Sequence, residues 1–369
     1  MKLAIQNMSH VWGGNEKWLS ILAAGLVSRG HEVVVSCPDG PVREGLGSIG
    51  IRTSGFRPRG AIDPVSGLSF AWWLRRERPD AVLMTSWHSV VWTVFAARTA
   101  RVRRIVLRQG IVRQFPRRGA RAYALRHGVD AVIVNSEEVR EVWLSSAGDF
   151  SADRLHVVLN GIASRKEQRE NLRNRLRREL LLDYSTFLIG GAGHLFKRKG
   201  FDNLLRGFAR AGVPDSVLAI AGKGEHRAEL EELAGSLGIA EKVRWLGHRT
   251  DGPEVIAALD LFVLSSHNEG MANVMLEAMA GGVPVIACDI SGVRRALGAS
   301  ADRSFAGWIV PPANDAALGA SIADVASIVR TGNHDAQRRV DEAHWRIENW
   351  FSADRMVDEC ERILFRSDD

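Results

Sequence analysis

Short apolar segments alternate with amphipathic segments along the first 160 residues. Residues 2–6 have the length and composition of a strand, residues 16–29 have the spacing of an amphipathic helix, and residues 32–36 form a second strand. A Pro-Asp-Gly turn closes this strand–helix–strand unit. Further strands are predicted at 81–84, 104–107, 131–134 and 156–159. The alternation predicts a parallel sheet with helices on both faces.

The same alternation restarts after a charge-dense segment at 165–179. Later strands are predicted at 186–190, 217–221, 242–246, 261–264 and 284–287, with helices near 200–210, 226–236 and 272–280. We therefore predict two doubly wound α/β domains, residues 1–165 and 166–350, with a cleft between the carboxyl ends of their strands. The remaining segment, 351–369, contains a helix that is expected to pack back on the N-terminal domain.

Length and composition agree with two packed, soluble domains. A chain of 369 residues exceeds one ordinary core, and 46% hydrophobic with 25% charged residues is typical of a globular enzyme. The first apolar segment is too short for a targeting peptide, and no uncharged apolar run approaches the roughly 18 residues that cross a bilayer. Cys37, Cys288 and Cys360 are distant in sequence and lack CxxC spacing, which fits a reducing cytoplasm.

Positive charge is concentrated in the N-terminal half. Residues 1–160 hold 22 Lys and Arg against 13 Asp and Glu, whereas the whole chain carries a formal charge of +6. No acidic residue occurs between Asp80 and Asp130. The arginines in that stretch are Arg98, Arg101, Arg103, Arg104, Arg108, Arg113, Arg117, Arg118, Arg121 and Arg126. Such a surface is expected to attract an anionic partner.

The most informative segment is 265–287, which reads SSHNEGMANVMLEAMAGGVPVIA. Its pattern predicts a strand end, a loop, a helix, a turn and a further strand. The free N–H groups and the dipole at the start of that helix form a site for an anionic diphosphate. Glu269 lies before the helix and Glu277 within it. Their carboxylates are therefore placed to flank a phosphate and accept hydrogen bonds from sugar and ribose hydroxyl groups.

This segment resembles the glycosyltransferases of family 4, whose hallmark is two Glu residues separated by seven residues and followed by EAMA-x-G-x-PV. The likeness extends over most of the C-terminal domain. It implies the GT-B fold, with two Rossmann-like doubly wound α/β domains and a cleft between them. In that family the residue matched by Glu269 contacts the donor sugar and acts in catalysis, and the residue matched by Glu277 holds the ribose. The amides implied to face the diphosphate and sugar are those of Gly270, Met271, Ala272, Asn273 and Val274.

A second match is GAGHLFKRKGFD at 191–202, which follows a predicted strand and opens a helix. A cation here neutralises a departing diphosphate, and Lys199 resembles the Lys of the family's GRL-xxx-KG segment. The usual Arg of that segment is replaced by His194, so that a permanent charge becomes one that titrates. Arg198 is the candidate to supply the missing charge.

A third match is WGGNE at 12–16, a glycine turn between the first strand and the first helix. Gly14 is similar to the second glycine of the family's GG-x-E loop and is expected to let the backbone approach a phosphate, although a purely structural turn is the alternative. Many relatives also carry a His before a Gly in the N-terminal domain, where this chain has Gln109-Gly110. The residue near the reacting carbon on the acceptor side therefore stays open.

The resemblance implies a retaining hexosyltransferase that uses a UDP- or GDP-sugar. Its acceptor is expected to be a cell-envelope glycan, a lipid-linked saccharide or a small-molecule glycoside. Asp-x-Asp is absent from the sequence, so that fixed protein charge, with no metal and no other cofactor, is expected to stabilise the diphosphate.

The arginine-rich stretch suggests an acceptor-binding face or peripheral contact with an anionic membrane, with Trp72, Trp73 and Trp92 as interfacial anchors. The alternative for Trp73 and Trp92 is a place in the core. A non-catalytic sugar-nucleotide-binding protein would share the fold and stays open. A basic nucleic-acid-binding protein is a weaker alternative, because no nucleic-acid motif occurs and the segment from Glu269 to Glu277 would be unexplained. A Rossmann dehydrogenase would need GxGxxG after the first strand, which Gly13-Gly14 does not provide.

Overall fold

The computed structural model of the protein describes residues 1–56, 64–148, 150–163, 169–299 and 303–365. The chain divides into two compact units. Unit 1 contains Met1–Gly161 together with the C-terminal stretch that begins at Ala353, and unit 2 contains Ile162–Ser352. The boundary predicted between residues 165 and 166, and the start of the charge-dense segment, lie outside the described residues.

A parallel sheet forms the centre of unit 1, in the order β3-β2-β1-β4-β5-β6-β7. Its strands are β1 (Lys2–Gln6), β2 (Glu32–Cys37), β3 (Arg52–Gly55), β4 (Ala81–Met84), β5 (Arg104–Gln109), β6 (Ala131–Val134) and β7 (Leu155–Val157). The connecting α-helices are α1 (Gly14–Ser28), α2 (Pro41–Ser48), α3 (Pro64–Glu77), α4 (Val90–Thr99), α5 (Ala120–Gly128) and α6 (Glu137–Ala147). The order reverses beside β1, where Ile5 pairs with Val35 on one side and Leu83 on the other.

The strands of this sheet are buried because helices cover both faces. Strands β4 and β6 are buried at every position, as expected for parallel strands with no solvent-facing side. One face packs on Phe70, Trp92 and Trp143, and the opposite face packs on Trp18 and Leu22 of α1. Trp92 is therefore a core residue, with 2% of its surface exposed, and Trp73 packs against the same core.

Unit 2 repeats this architecture with a parallel sheet in the order β10-β9-β8-β11-β12-β13. Its strands are β8 (Phe187–Ala192), β9 (Ser216–Ala221), β10 (Val243–Gly247), β11 (Leu261–Leu264), β12 (Val285–Cys288) and β13 (Trp308–Val310). Its α-helices are α7 (Arg169–Glu179), α8 (Phe201–Ala211), α9 (Arg227–Ser236), α10 (Gly252–Ala257), α11 (Asn273–Ala280), α12 (Val293–Leu297), α13 (Asp315–Arg330) and α14 (His334–Asn349). The strand order reverses between β8 and β11, and ligands of such sheets bind outside the carboxyl ends of the strands at this reversal.

The last helix, α15 (Ala353–Phe365), belongs to unit 1. Its apolar side contributes Met356, Val357, Cys360 and Leu364 to the core beneath α1. The two helices approach closely because α1 has Gly25 at the contact, where a Cβ atom would lie 2.5 Å from Val357 Cγ2. Completing the core of unit 1 therefore needs residues from both ends of the chain.

The two strands that the hydrophobic pattern does not predict, β3 and β13, both lie at sheet edges. Strand β3 has the sequence RTSG and no fully buried position, so that it carries no apolar signal. Strand β13 spans only Trp308–Val310. An edge strand has a neighbouring strand on one side only, so that its side chains are less completely covered and its sequence need not be apolar. Among the described residues, no helix has the length and apolar composition needed to cross a bilayer.

Candidate functional site

Lys199 and Glu269 meet at the strand reversal of unit 2. Lys199 ends a short 3₁₀ turn, Lys197–Lys199, that follows β8, and Glu269 lies in the loop between β11 and α11. Because β8 and β11 are adjacent and parallel, both segments leave the sheet at its carboxyl edge. Two residues that are 70 positions apart in sequence are thereby brought into contact.

The two side chains form a direct ion pair. Lys199 Nζ donates to Glu269 Oε1 at 2.7 Å, and each side chain is 12% exposed. Ser266 Oγ donates to the same carboxylate oxygen at 2.5 Å. Both charged groups are therefore mostly removed from water, and each is the ionic partner of the other. Both side chains also keep a small exposed area. A pair of this kind is able to exchange its partner for a ligand group.

The loops that carry the pair are fastened to each other by neighbouring residues. Ser265 Oγ donates to the Lys199 carbonyl oxygen at 3.1 Å, and the His267 amide donates to the Arg198 carbonyl oxygen at 2.8 Å. Gly200 has a φ of +61°, and a Cβ atom there would lie 2.1 Å from the Ser265 carbonyl oxygen. Sequence reasoning missed the roles of both serines, although the spacing of Ser266 and Glu269 is one that allows a local side-chain hydrogen bond.

The segment from Gly270 to Val274 leads from Glu269 into α11. Ala272 precedes the first helical residue, Asn273, and its methyl group gives the first turn no side-chain cap. Amides at an uncapped helix start suit an anionic group. Met271 and Ala272 are buried, and Glu277, about one turn into α11, is only 5% exposed, so that its carboxylate does not lie on the solvated surface of the helix.

His194 and Arg198 differ in their surroundings. Burial, reinforced by the Lys199 charge, lowers the pKa of His194 below its ordinary value, so that the imidazole is neutral at neutral pH. The Arg198 side chain is exposed and lines a cavity of about 740 Å³ together with Phe196, Lys197 and His267. Neither Lys199 nor Glu269 is among the described residues of that lining. In the arrangement described, Lys199 is therefore the cation closest to Glu269.

A second polar network occupies the carboxyl edge of unit 1. Gly14 begins α1, and the Gly13 amide donates to Glu16 Oε2 at 3.1 Å. Glu16 Oε1 accepts from Asn15 Nδ2 at 3.0 Å, and Asn15 Oδ1 accepts from Arg108 Nη1 at 2.5 Å. A chain of hydrogen bonds therefore connects the glycine turn to the Glu16 carboxylate, then to the Asn15 amide and finally to the Arg108 guanidinium.

Arg108 is the charge on which this network depends. It is 7% exposed, lies 4.1 Å from the centre of the Trp18 ring, and donates to Asn160 Oδ1 at 3.3 Å. Burial lowers the pKa of Arg108 to about 10, which still leaves the guanidinium charged at neutral pH. Sequence reasoning counted Arg108 with the basic surface, although a charged residue inside an apolar strand is a signal of a buried network.

The side chain of Gln109, at the position where many relatives are expected to carry His, is buried. Gln109 is 5% exposed, and its Nε2 donates to the Ile111 carbonyl oxygen at 2.6 Å. The following Gly110 carbonyl oxygen accepts from Asn135 Nδ2 at 3.1 Å. Gln109 thus stabilises its own loop in this structure.

Much of the arginine-rich stretch is used inside unit 1. Arg98 pairs with Asp130 at 2.6 Å, and Arg104 Nε donates to the Ile363 carbonyl oxygen at 3.2 Å. The guanidinium groups that lie over aromatic rings are those of Arg113 and Arg121 on Trp87, and of Arg126 on Phe115. Arg101, Arg103, Arg117 and Arg118 are exposed. The charge available to a partner is therefore smaller than the sequence count suggests.

Among the described residues, no three His, Cys, Asp or Glu side chains lie close enough together to bind a metal ion. The three cysteines are buried and free.

Two models of known protein families together match most of the chain. Residues 12–166 match the model described as Glycosyltransferase Family 4, and residues 172–339 match the model described as Glycosyl transferases group 1. The chain therefore belongs to glycosyltransferase family 4, whose members are enzymes with the GT-B fold. The predicted family, the predicted fold class and the prediction of a glycosyltransferase are confirmed.

Individual relatives are similar over shorter stretches. A lipopolysaccharide core biosynthesis glycosyltransferase of Rhizobium meliloti, LpsE, is 42% identical over 26% of this chain and 27% of its own length. The mannosyltransferase LpsB of the same organism is 33% identical over 36% of this chain and 40% of its own length. The matched stretches thus span less than half of these relatives.

Solved structures resemble the fold along the whole chain. Anabaena HepE in complex with UDP has a TM-score of 0.81 at 20% identity, with 99% of each chain covered. A glycosyltransferase from Rickettsia africae has a TM-score of 0.85 at 18% identity, again with 99% of each chain covered. At this identity the likeness shows the fold alone.

Proposed function

We propose that this protein is a retaining, metal-independent hexosyltransferase that moves a sugar from a nucleoside-diphospho-sugar to a hydroxyl-bearing acceptor. The observation that supports it most is the Lys199–Glu269 ion pair at the carboxyl edge of β8 and β11, beside the uncapped start of α11. A cation, a carboxylate and the amides of a helix start are the groups that a diphospho-sugar needs at its two ends.

In the proposed reaction, Lys199 and the first amides of α11 stabilise the leaving nucleoside diphosphate. The bond from the anomeric carbon to the diphosphate oxygen breaks while the acceptor oxygen bonds to the same face of that carbon, and the acceptor's hydroxyl proton passes to the departing diphosphate oxygen. Negative charge grows on the diphosphate as this bond breaks, so that a fixed cation lowers the barrier more than it stabilises the bound donor. His194 and Arg198 are proposed to complete the diphosphate environment in unit 2, and a phosphate contact at Gly14 stays a prediction from the glycine turn before α1.

Glu269 and Glu277 are proposed to hold the two sugar rings of the donor. When the diphosphate takes Lys199, the carboxylate of Glu269 is released to accept hydrogen bonds from hydroxyl groups of the transferred hexose. Glu277, buried inside α11, is assigned to the ribose hydroxyl groups. Ionised carboxylates accept hydrogen bonds strongly and have no proton to donate, which matches them to vicinal hydroxyl groups.

The donor is proposed to be a UDP- or GDP-sugar, and the acceptor a cell-envelope glycan, a lipid-linked saccharide or a small-molecule glycoside. The names of the relatives support this range. Two of them act in lipopolysaccharide core biosynthesis, and a Salinispora tropica relative that is 30% identical over 46% of this chain is a D-inositol 3-phosphate glycosyltransferase. The HepE structures contain UDP or UDP-glucose.

A thermal-shift screen tests donor binding. We expect UDP or GDP, alone or as a sugar conjugate and in the presence of EDTA, to raise the melting temperature, because a ligand that binds only the native state stabilises it. Glu277→Ala should abolish most of that shift, while Glu231→Ala on the exposed side of α9 should leave it unchanged. An undiminished response of Glu277→Ala would remove the ribose role.

Donor hydrolysis separates an enzyme from a non-catalytic binding protein of the same fold. We expect slow release of free nucleoside diphosphate from the donor that gives the largest thermal shift, and faster release when the correct acceptor is added. Stabilisation by a donor without any release, over a range of acceptors, would indicate a sugar-nucleotide sensor.

A further inference from the structure

Three arginines lie along one side of α7. Arg169, Arg173 and Arg177 follow one another at intervals of four residues, which places them above one another on the helix. Their guanidinium groups contact the chain directly before β8 and β11, so that they lie at the amino edge of the unit 2 sheet. That edge is opposite the one that carries the Lys199–Glu269 ion pair. We name these three residues the α7 arginine cluster.

One carboxylate serves the whole cluster. Arg173 Nη2 lies 2.6 Å from Asp260 Oδ1, and Arg177 Nη2 lies 2.5 Å from Asp260 Oδ2. Arg169 Nη2 donates instead to the neutral carbonyl oxygen of Leu259, at 3.0 Å. In the described part of the chain, no second carboxylate forms an ion pair with these arginines. Three positive charges are therefore balanced by a single negative charge.

Burial makes this surplus of positive charge costly. Arg177 is 2% exposed and Asp260 is 4% exposed. The Nε atoms of all three arginines are buried and have no hydrogen-bond partner. Burial lowers the pKa of Arg169 to about 10, and the neighbouring charge of Arg173 lowers it further. Buried donors without a partner are rare in native proteins, and an ion that binds beside them is one reason for their presence.

The outer part of the cluster is accessible from solvent. The Arg173 side chain is 28% exposed, and Arg169 is half-buried. A guanidinium group has five N–H donors, so that a bond to Asp260 or to a carbonyl oxygen leaves other donors able to bind an anion. Side chains one helical turn apart are neighbours, and one anion with several oxygen atoms is able to accept from both arginines.

We propose that the α7 arginine cluster binds a small tetrahedral oxyanion of the phosphate type, held between the guanidinium groups of Arg169 and Arg173. Phosphate matches the planar fork of donors in arginine, and its charge offsets the two positive charges that Asp260 leaves unbalanced. The proposal does not rest on the proposed sugar transfer, because the cluster and the Lys199–Glu269 pair lie at opposite edges of the sheet.

A thermal-shift titration of the full-length chain tests anion binding. The protein is dialysed into Tris chloride and titrated with inorganic phosphate, with glucose 6-phosphate, and with sodium chloride at matched ionic strength. We expect phosphate to raise the melting temperature where chloride does not, because an anion that binds only the native state stabilises it. A response to inorganic phosphate alone would identify the free ion as the ligand, and an equal or larger response to glucose 6-phosphate would identify a phosphate ester.

Arg169→Gln tests the location of the site. It should weaken phosphate binding by about tenfold, the loss expected for one hydrogen bond to a charged group. In phosphate-free buffer its melting temperature should stay near that of the unchanged protein, because relief of repulsion with Arg173 offsets the lost bond to Leu259. Arg178→Gln, which replaces an exposed arginine of the same helix, is the matched control and should respond as the unchanged protein does. Lys199→Ala should also keep the phosphate response.

Three results would overturn the proposal. The first is a melting temperature of the unchanged protein that phosphate does not raise beyond the effect of chloride. The second is a phosphate response lost in Lys199→Ala but kept in Arg169→Gln, which would assign the anion to the donor site. The third is an Arg169→Gln variant that melts lower by the same amount with and without phosphate, which would confine Arg169 to anchoring α7 on the sheet.

Discussion

The two units place charged groups at the same edge of similar sheets, but in different states. In unit 2, Lys199 and Glu269 contact each other directly and remain in contact with solvent. In unit 1, Glu16 and Arg108 are connected through the amide of Asn15 and are nearly enclosed. The direct pair can open to admit a ligand, whereas the enclosed series fixes the conformation of a turn.

The difference teaches that position at a carboxyl edge does not by itself make a charge reactive. A desolvated charge with several fixed partners contributes to the shape of its surroundings, because moving it would leave donors or acceptors unsatisfied. A charge with one ionic partner and a path to solvent is instead able to exchange that partner. We therefore expect substitutions in unit 2 to change activity and substitutions in the unit 1 network to change stability.

The largest effect is expected for Lys199→Ala. Loss of the cation should reduce kcat by about 10² to 10³, the range found when one preorganised group at a developing negative charge is removed. The measurement is transfer or donor hydrolysis with the donor found by thermal shift. Lys197→Ala, which removes an exposed lysine from the same turn, is the control and should stay near the original rate. Equal losses for the two variants would mean that the Lys199–Glu269 contact has no special role.

A smaller effect, on a different quantity, is expected for Arg108→Gln. The variant removes the buried guanidinium that donates to Asn15 Oδ1 and Asn160 Oδ1 and should lower the free energy of unfolding by roughly 2–4 kcal/mol. Urea denaturation measures this change. Arg103→Gln replaces an exposed arginine of the same region and should change it by less than about 0.5 kcal/mol. If Arg108→Gln proved as stable as the original chain while losing activity, the contrast between the two units would be wrong.

The smallest effect is expected from the titration of His194. Because burial lowers its pKa in the native state below 6.5, the unfolded chain binds this proton more readily. The stability that depends on neutral His194 is thus fully present above about pH 6.5 and declines as the pH falls toward the native-state pKa. His194→Gln should reduce the loss of melting temperature between neutral and mildly acidic buffers. An unchanged pH dependence would show that the imidazole is solvated enough to titrate normally.

Much of the fold was predictable, because the central strands of both sheets are buried on two faces and read as continuous apolar runs. Strand β3 escaped prediction because RTSG carries no apolar signal, and β13 because it spans only three residues. In the candidate site, the sequence indicated Lys199, Glu269 and Glu277 through a spaced motif, and their assigned roles remain predictions.

Residues that act by supporting others were not predictable. In the sequence, Ser265 and Ser266 look like ordinary loop residues, and only the fold places the Lys199 turn against them. Arg108 is likewise distinguished from the other arginines only by its contacts with Trp18 and Asn15. Such roles depend on tertiary contacts between residues that are far apart in sequence, which no local pattern encodes.

The place of α15 in the core of unit 1 has a consequence for biosynthesis. During translation, domains usually fold in the order in which they leave the ribosome. Here the sheet of unit 1 emerges first but lacks Met356, Val357, Cys360 and Leu364 until the ribosome has passed unit 2. Unit 2 emerges complete before that, so that the later-encoded unit is able to finish folding first, while the nascent N-terminal half retains exposed apolar surface that chaperones recognise.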